Sequence, residues 1–410
     1  MVSALALVLC ATSGVAFATH SPAAQREVVG VYDGAQYALF LPYNWNGDLV
    51  VYAHGFIDPA APVALPDAAP VDVAPWVVEL RERLLQARYA VAYSSYSENG
   101  WAVNDGAQRT RELRPLFSYY FHTPDRTYII GRSLGALTTL LLVEKYSTES
   151  SSSLSLNLGL LSLGLSGSST RVLDGALALC GPLGGGRKQT DYVAHTRVIF
   201  DFFYPGVIPG DVLHVPPLDY SSNGPLVQAI VGSILANPQA AVALASVDQV
   251  ELPWTSFPEL ITSIVRVLGY NVLGTNDLLA RTGGASPFEN RSITYTGLGA
   301  YDGVVNAGVG RFAGDWRAFN YLKAFYQPTG KLPIRVLTLH TTLDPDVPFA
   351  HEQTLAEIVN AAGASSKLVR QHYNRYGHCN FTPAEAADAF FRLVNWVERG
   401  VKPVGGALAP

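Results

Sequence analysis

A β-branched run, Thr127-Tyr128-Ile129-Ile130, passes directly into Gly131-Arg132-Ser133-Leu134-Gly135. An apolar helical pattern then follows at Leu134, Leu137, Leu140 and Leu141. Few arrangements restrict a chain more. A strand that becomes a helix within a residue or two needs a sharp, strained turn, and small residues on both sides relieve its crowding. The pattern therefore predicts Ser133 at the tip of such a turn, its hydroxyl standing above the strand end. Strands alternating with helices elsewhere predict a mostly parallel sheet covered on both faces.

A serine hydroxyl is a poor nucleophile at neutral pH and needs a base and an orienting carboxylate. Two later segments offer them. Leu343-Asp344-Pro345-Asp346-Val347-Pro348 follows a strand pattern at Ile334–Leu339, and Gly377-His378-Cys379 follows another at Leu368–Tyr373. The order Ser…Asp…His is the one used with a strand–serine–helix turn. Ser133 is thus the candidate nucleophile, Asp344 the candidate acid and His378 the candidate base. Asp346 is the rival acid, because two residues of loop can bring either carboxylate to an imidazole. His340, His351 and His372 read as structural side chains. The oxyanion of acyl transfer needs two N–H donors. Leu134, the residue after the serine, supplies one; Phe56, in the His54-Gly55-Phe56 loop after the apolar run Leu49–Ala53, supplies the other. His54 then shapes the loop.

Helical spacing is expected at Trp76–Arg88, Gly106–Phe121, Thr354–Ala362 and Pro383–Val397, with further strands at Gln36–Leu41, Ala90–Ser94 and Gly175–Leu179. Residues 147–170 are almost wholly Ser, Leu and Gly and read as an insertion without assigned function. About 150 residues between Cys180 and Ile334 show no strand–helix alternation. They carry many aromatics and prolines, with helical stretches near 224–250 and 257–268. The expected division is a leader at 1–18, a core at 19–181 and 332–410, and an inserted cap at 182–331.

These motifs resemble those of the α/β-hydrolase superfamily, and within it secreted bacterial serine esterases with a large cap. The resemblance covers about residues 36–146, 171–181 and 332–400. It implies an α/β-hydrolase fold, a mostly parallel central sheet flanked by helices with a mainly helical cap. It also implies ester hydrolysis by Ser133, Asp344 and His378, with Phe56 and Leu134 as oxyanion donors. The Gly-His-Cys motif is similar to that of tannase- and feruloyl-esterase-like enzymes, whose cysteine beside the base is bonded to one beside the serine. Arg132 occupies that partner position here, so Cys180 is the substitute if Cys379 is bonded. Arg132 itself would meet an anionic substrate group or pair with an acidic neighbour.

Other observations set the partners. A net charge of −5 and the lack of a basic stripe give no footprint for nucleic acid. The run Ala4–Leu9 and Ala16-Phe17-Ala18 fit an export leader, although no Lys or Arg precedes Arg26. A secreted (extracellular or periplasmic) protein without stable membrane insertion is expected. Removing the leader leaves Cys180 and Cys379, either one disulfide or two buried thiols. No cluster has metal-ligand spacing, so neither metal nor organic cofactor is expected. The substrate class is a small-molecule or polymeric ester. A peptidase of the prolyl-oligopeptidase type, or a non-catalytic binding protein on the same fold, are the alternatives.

Overall fold

The computed structural model describes residues 20–68, 73–150, 156–158, 161–163 and 169–409. The expected leader therefore lies outside the described residues, as does much of the Ser/Leu stretch. In chain order the main elements begin with β1 (Ala24–Tyr32), β2 (Ala35–Pro42), β3 (Asp48–Ala53), α1 (Val73–Gln86) and β4 (Ala90–Ser94). Next come α2 (Val103–Tyr120), β5 (Arg126–Arg132), α3 (Leu134–Tyr146) and β6 (Gly175–Leu179). A helical segment follows: α4 (Gly186–Phe203), α5 (Pro225–Ala236), α6 (Pro238–Ala245), α7 (Phe257–Arg281), α8 (Asp302–Gly308) and α9 (Trp316–Tyr326). The chain closes with β7 (Arg335–Leu343), α10 (Ala350–Ala361), β8 (Leu368–Tyr376), α11 (Pro383–Arg399) and β9 (Gly406–Ala407).

One nine-stranded sheet carries the order β1-β2-β4-β3-β5-β6-β7-β8-β9. The pairings from β4 to β9 are parallel, and the two that involve β2 are antiparallel. This order, with its strand–serine–helix turn after β5, is the α/β-hydrolase fold. Strands β3, β4 and β6 are buried along their whole length, as expected of strands covered on both faces. Two short antiparallel ladders, Thr148–Ser150 with Ser169–Arg171 and Leu156–Leu158 with Leu161–Leu163, lie within the Ser/Leu stretch.

Each face of the sheet has its own apolar layer. Leu113 and Phe117 of α2 and Leu137 and Leu140 of α3 cover one face. Leu80 and Leu84 of α1 with Phe390 and Leu393 of α11 cover the other. Each such side chain, fully buried, contributes about 1.5–3 kcal/mol. Helix α11 is framed by local chemistry: Thr382 and Glu385 form a reciprocal capping box, Pro383 opens the first turn, and Gly400 ends it at φ 75°. The all-helical segment between β6 and β7 builds a third core from Ile199, Phe200, Ile230, Leu244, Ile264 and Leu268.

Candidate active site

Between β5 and α3 the backbone turns at Ser133 with φ 56° and ψ −127°, a conformation that costs a non-glycine residue of order 1–3 kcal/mol. The flanking glycines explain how the turn fits. A Cβ on Gly131 would collide with the Gly135 carbonyl and the Thr139 hydroxyl, and one on Gly135 with the carbonyls of Ala53 and His54. Helix α3 can therefore approach β5 only because Gly131 lacks a side chain, and the end of β3 only because Gly135 does. The Ser133 N–H is held by the Leu179 carbonyl at 2.9 Å, which fixes the turn to the end of β6.

The three expected side chains meet. His378 Nε2 lies 2.8 Å from Ser133 Oγ, and His378 Nδ1 lies 2.8 and 3.0 Å from the Asp344 oxygens. Asp344 is fully buried. Its Oδ1 accepts the N–H groups of Asp346 and Val347 at 2.9 and 3.0 Å, so the acid turn folds back on its own carboxylate. Burial alone would raise this carboxyl, but the charge of His378 and a hydrogen bond from His340 hold it well below the usual carboxylate range. Asp346 faces the other way. It accepts from Arg266 and, at 2.9 Å, from the Tyr270 hydroxyl.

Leu134 is the first residue of α3, where N–H groups lack intrahelical acceptors. The other candidate donor, Phe56, follows Gly55. A Cβ on Gly55 would stand 2.9 Å from Ser133 Cβ and 3.4 Å from Oγ, so this loop lies against the serine. His54 is buried and stacked on Tyr96 with centroids 3.7 Å apart. Its ring nitrogens face the carbonyls of Gly55 and Ser95, and burial lowers its proton affinity.

Cys180 and Cys379 form a disulfide, Cα atoms 5.3 Å apart, across 199 residues of sequence. It joins the strand end that leads into the helical segment to the residue after His378. The two sulfurs and the His378 imidazole converge within 4.8 Å, but sulfurs bonded to each other leave no thiolate for a metal. Among the described residues Arg132 pairs with no carboxylate: its guanidinium sits 5.2 Å from the centroid of the Trp76 ring. The expected acidic partner is replaced by an aromatic face, which attracts a cation through its quadrupole.

Helix α7 brings in residues that sequence reasoning missed. The Tyr376 hydroxyl, two residues before His378, meets Ser263 Oγ and the Glu259 carbonyl at 2.9 Å each. Arg266 and Tyr270 hold Asp346. The Tyr270 ring packs edge-on to Phe56, and Asp277 accepts the Trp101 N–H at 2.7 Å. Positions 259, 263, 266, 270, 274 and 277 recur every three or four residues, one face of a helix. That spacing was present in the sequence, but its residues are polar, so it did not read as an apolar face.

No protein-family model matches the chain, and no curated protein matches it in sequence. Among solved structures it is similar to feruloyl esterase B from Aspergillus oryzae, with TM-score 0.48 and 11% identity over 95% of this chain and 86% of that one. An esterase from Aspergillus oryzae gives TM-score 0.46 and 14% identity over 90% and 78%. Candida antarctica lipase A gives 0.44 and 14% over 92% and 77%. At TM-scores below 0.5 these likenesses decide nothing about chemistry. The strand order and the serine turn define the fold class, that of the α/β-hydrolases.

Proposed function

We propose that this chain hydrolyses carboxylic esters through an acyl-enzyme on Ser133. The observation that carries the reading is the hydrogen-bonded line Ser133–His378–Asp344, with 2.8 Å contacts on both sides of the imidazole. His378 takes the serine proton as Oγ attacks the ester carbonyl, and Asp344 holds the tautomer with Nδ1 protonated. The Leu134 and Phe56 N–H groups receive the oxyanion, each such donor contributing about 3 kcal/mol. The proton then passes to the departing alkoxide. Water enters, gives its proton to His378 and attacks the acyl carbon; the imidazolium then returns that proton to Ser133 Oγ as the acyl–oxygen bond breaks and the acid leaves.

An ester with a hydrophobic or aromatic group suits the surroundings. Phe56, beside the serine, is met by the rings of Trp101 and Tyr270, so aromatic surface lies next to the nucleophile. In this reading the helical segment between β6 and β7 is a cap over the serine. Export fits the disulfide beside the base, since such bonds persist in oxidising compartments. Among the described residues no single helix is long and apolar enough to cross a membrane.

Replacing the nucleophile tests the reading. Ser133→Ala should lower kcat on a short p-nitrophenyl ester by about a million-fold, the scale seen when such a serine is lost. Turnover retained within tenfold would remove it. An amide cleaved as fast as the ester of the same acyl group would move the assignment to a peptidase.

A further inference from the structure

Asp344 has a second imidazole on its far side. His340, from β7, is completely buried, with Nε2 3.0 Å from the Val347 carbonyl and 3.5 Å from Asp344 Oδ2. A carbonyl only accepts, so Nε2 carries a proton. The other nitrogen, Nδ1, faces Glu352 Oε1 of α10 at 3.5 Å, an ion-pair distance, and among the described residues neither of these two buried atoms has a hydrogen-bond partner. Oε2 of Glu352 accepts the Thr338 hydroxyl at 2.7 Å. A neutral His340 would set its Nδ1 lone pair against a carboxylate, with both atoms unsatisfied and out of reach of water. A proton on Nδ1 turns that opposition into an imidazolium facing a carboxylate at 3.5 Å.

The charged and titratable neighbours include Arg370 of β8, which gives an Nη1–H to the Glu352 backbone carbonyl at 2.9 Å and not to its carboxylate. The Phe349 ring stands nearly perpendicular to His340 at 5.7 Å between centroids. His372 lies opposite it in register on β8, and burial lowers its proton affinity. His351 on α10 is likewise lowered by burial, then by Lys188 of α4, and its Nδ1 accepts the Gly184 N–H. For His340 itself burial works against the charge, but the carboxylates of Asp344 and Glu352 on its two sides outweigh it and push the ring up to about 10.

We propose that His340 is a buried imidazolium anchored by Glu352, a positioning residue that keeps Asp344 ionised, turned toward His378 and moderate in its pull on the base. The inference rests on the Ser133–His378–Asp344 reading above. The chain Glu352–His340–Asp344–His378–Ser133 then alternates carboxylate and imidazole up to the hydroxyl. The sign follows from charge. A cation behind Asp344 draws off part of the carboxylate's field, so losing it leaves the carboxylate's pull on the imidazole unshared.

Glu352→Gln preserves the shape and offers an amide N–H to Nδ1, which leaves His340 neutral. The acidic limb of its kcat/KM profile should move up by about half a pH unit, the scale of a lost charge pair some two residues away. In ¹⁵N-histidine NMR at about pH 8, above the ordinary imidazole range, Ser133→Ala protein should show one ring protonated on both nitrogens. Adding Glu352→Gln should abolish that signal. A neutral His340 ring at that pH overturns the proposal even if the Glu352 variant fails to fold, as does an unmoved limb in a folded variant. The spectrum needs no turnover, so a missing signal in an enzyme silenced by Ser133→Ala sinks this inference alone. Turnover surviving Ser133→Ala sinks the triad reading and leaves the ring's charge as a separate fact.

Discussion

Asp344 and Asp346 stand two residues apart, both fully buried, and their side chains turn to opposite partners. Loop length cannot choose between them, which is why both were open in the sequence. The backbone chooses: Oδ1 of Asp344 accepts the next N–H groups of its own turn, leaving Oδ2 for His378, while Asp346 points to α7. Asp344→Asn should cut kcat by about ten-thousand-fold with the fold intact, because the wrong tautomer of the base is stabilised. Asp346→Asn should cost mainly stability. Its partner Arg266 is 46% exposed and can turn to water, so the loss stays below the ~3–5 kcal/mol of a fully buried pair. Kinetics and thermal melts of the two variants check this, and the reverse ranking would reassign the acid. Ser133, His378 and the cysteines were legible because their chemistry demands particular residue types in a particular order. His340 was not, since a buried histidine in a strand looks the same in sequence whether it packs or carries charge; its anchor Glu352 is twelve residues away.

At the scale of elements, sequence patterning worked where buried positions are apolar and failed where buried positions are polar or the element lies wet at an edge. Strand β6 and helix α3 fall where periodicity put them. Helix α4 escaped notice because Gln189, Thr190, His195, Thr196 and Arg197 are buried along it, so polarity does not mark its outside. Strand β1 is an edge strand with mostly partial or full exposure and no clean alternation. Helix α7 was expected to stop at 268 and runs to Arg281, because Tyr270, Asn271 and Asp277 face protein. Tyr376→Phe removes the hydroxyl that joins the base loop to this helix. A loss of about 1 kcal/mol in stability is expected, with a fall in kcat and little change in KM. Urea unfolding and steady-state kinetics read both; a variant equal to the parent in kcat would show that the helix does not support the base.

For the whole molecule, nine strands in hydrolase order bring together residues 133, 344 and 378 at one end of the sheet. The disulfide adds a covalent tie between the entry to the helical segment and the base loop. Removing both cysteines as Cys180→Ala/Cys379→Ala should cost about 2–5 kcal/mol and lower kcat more than KM, because His378 sits one residue from the lost bond. Thermal melts with parallel kinetics measure it, and an unchanged melting temperature and rate would leave the bond without a role. Helix α7 carries a different consequence. The same rod braces the acid turn, the base loop and the Phe56 side of the serine, so it cannot swing aside as a free door. A change that shifts it would move all three together, so their alignment rises or falls as one.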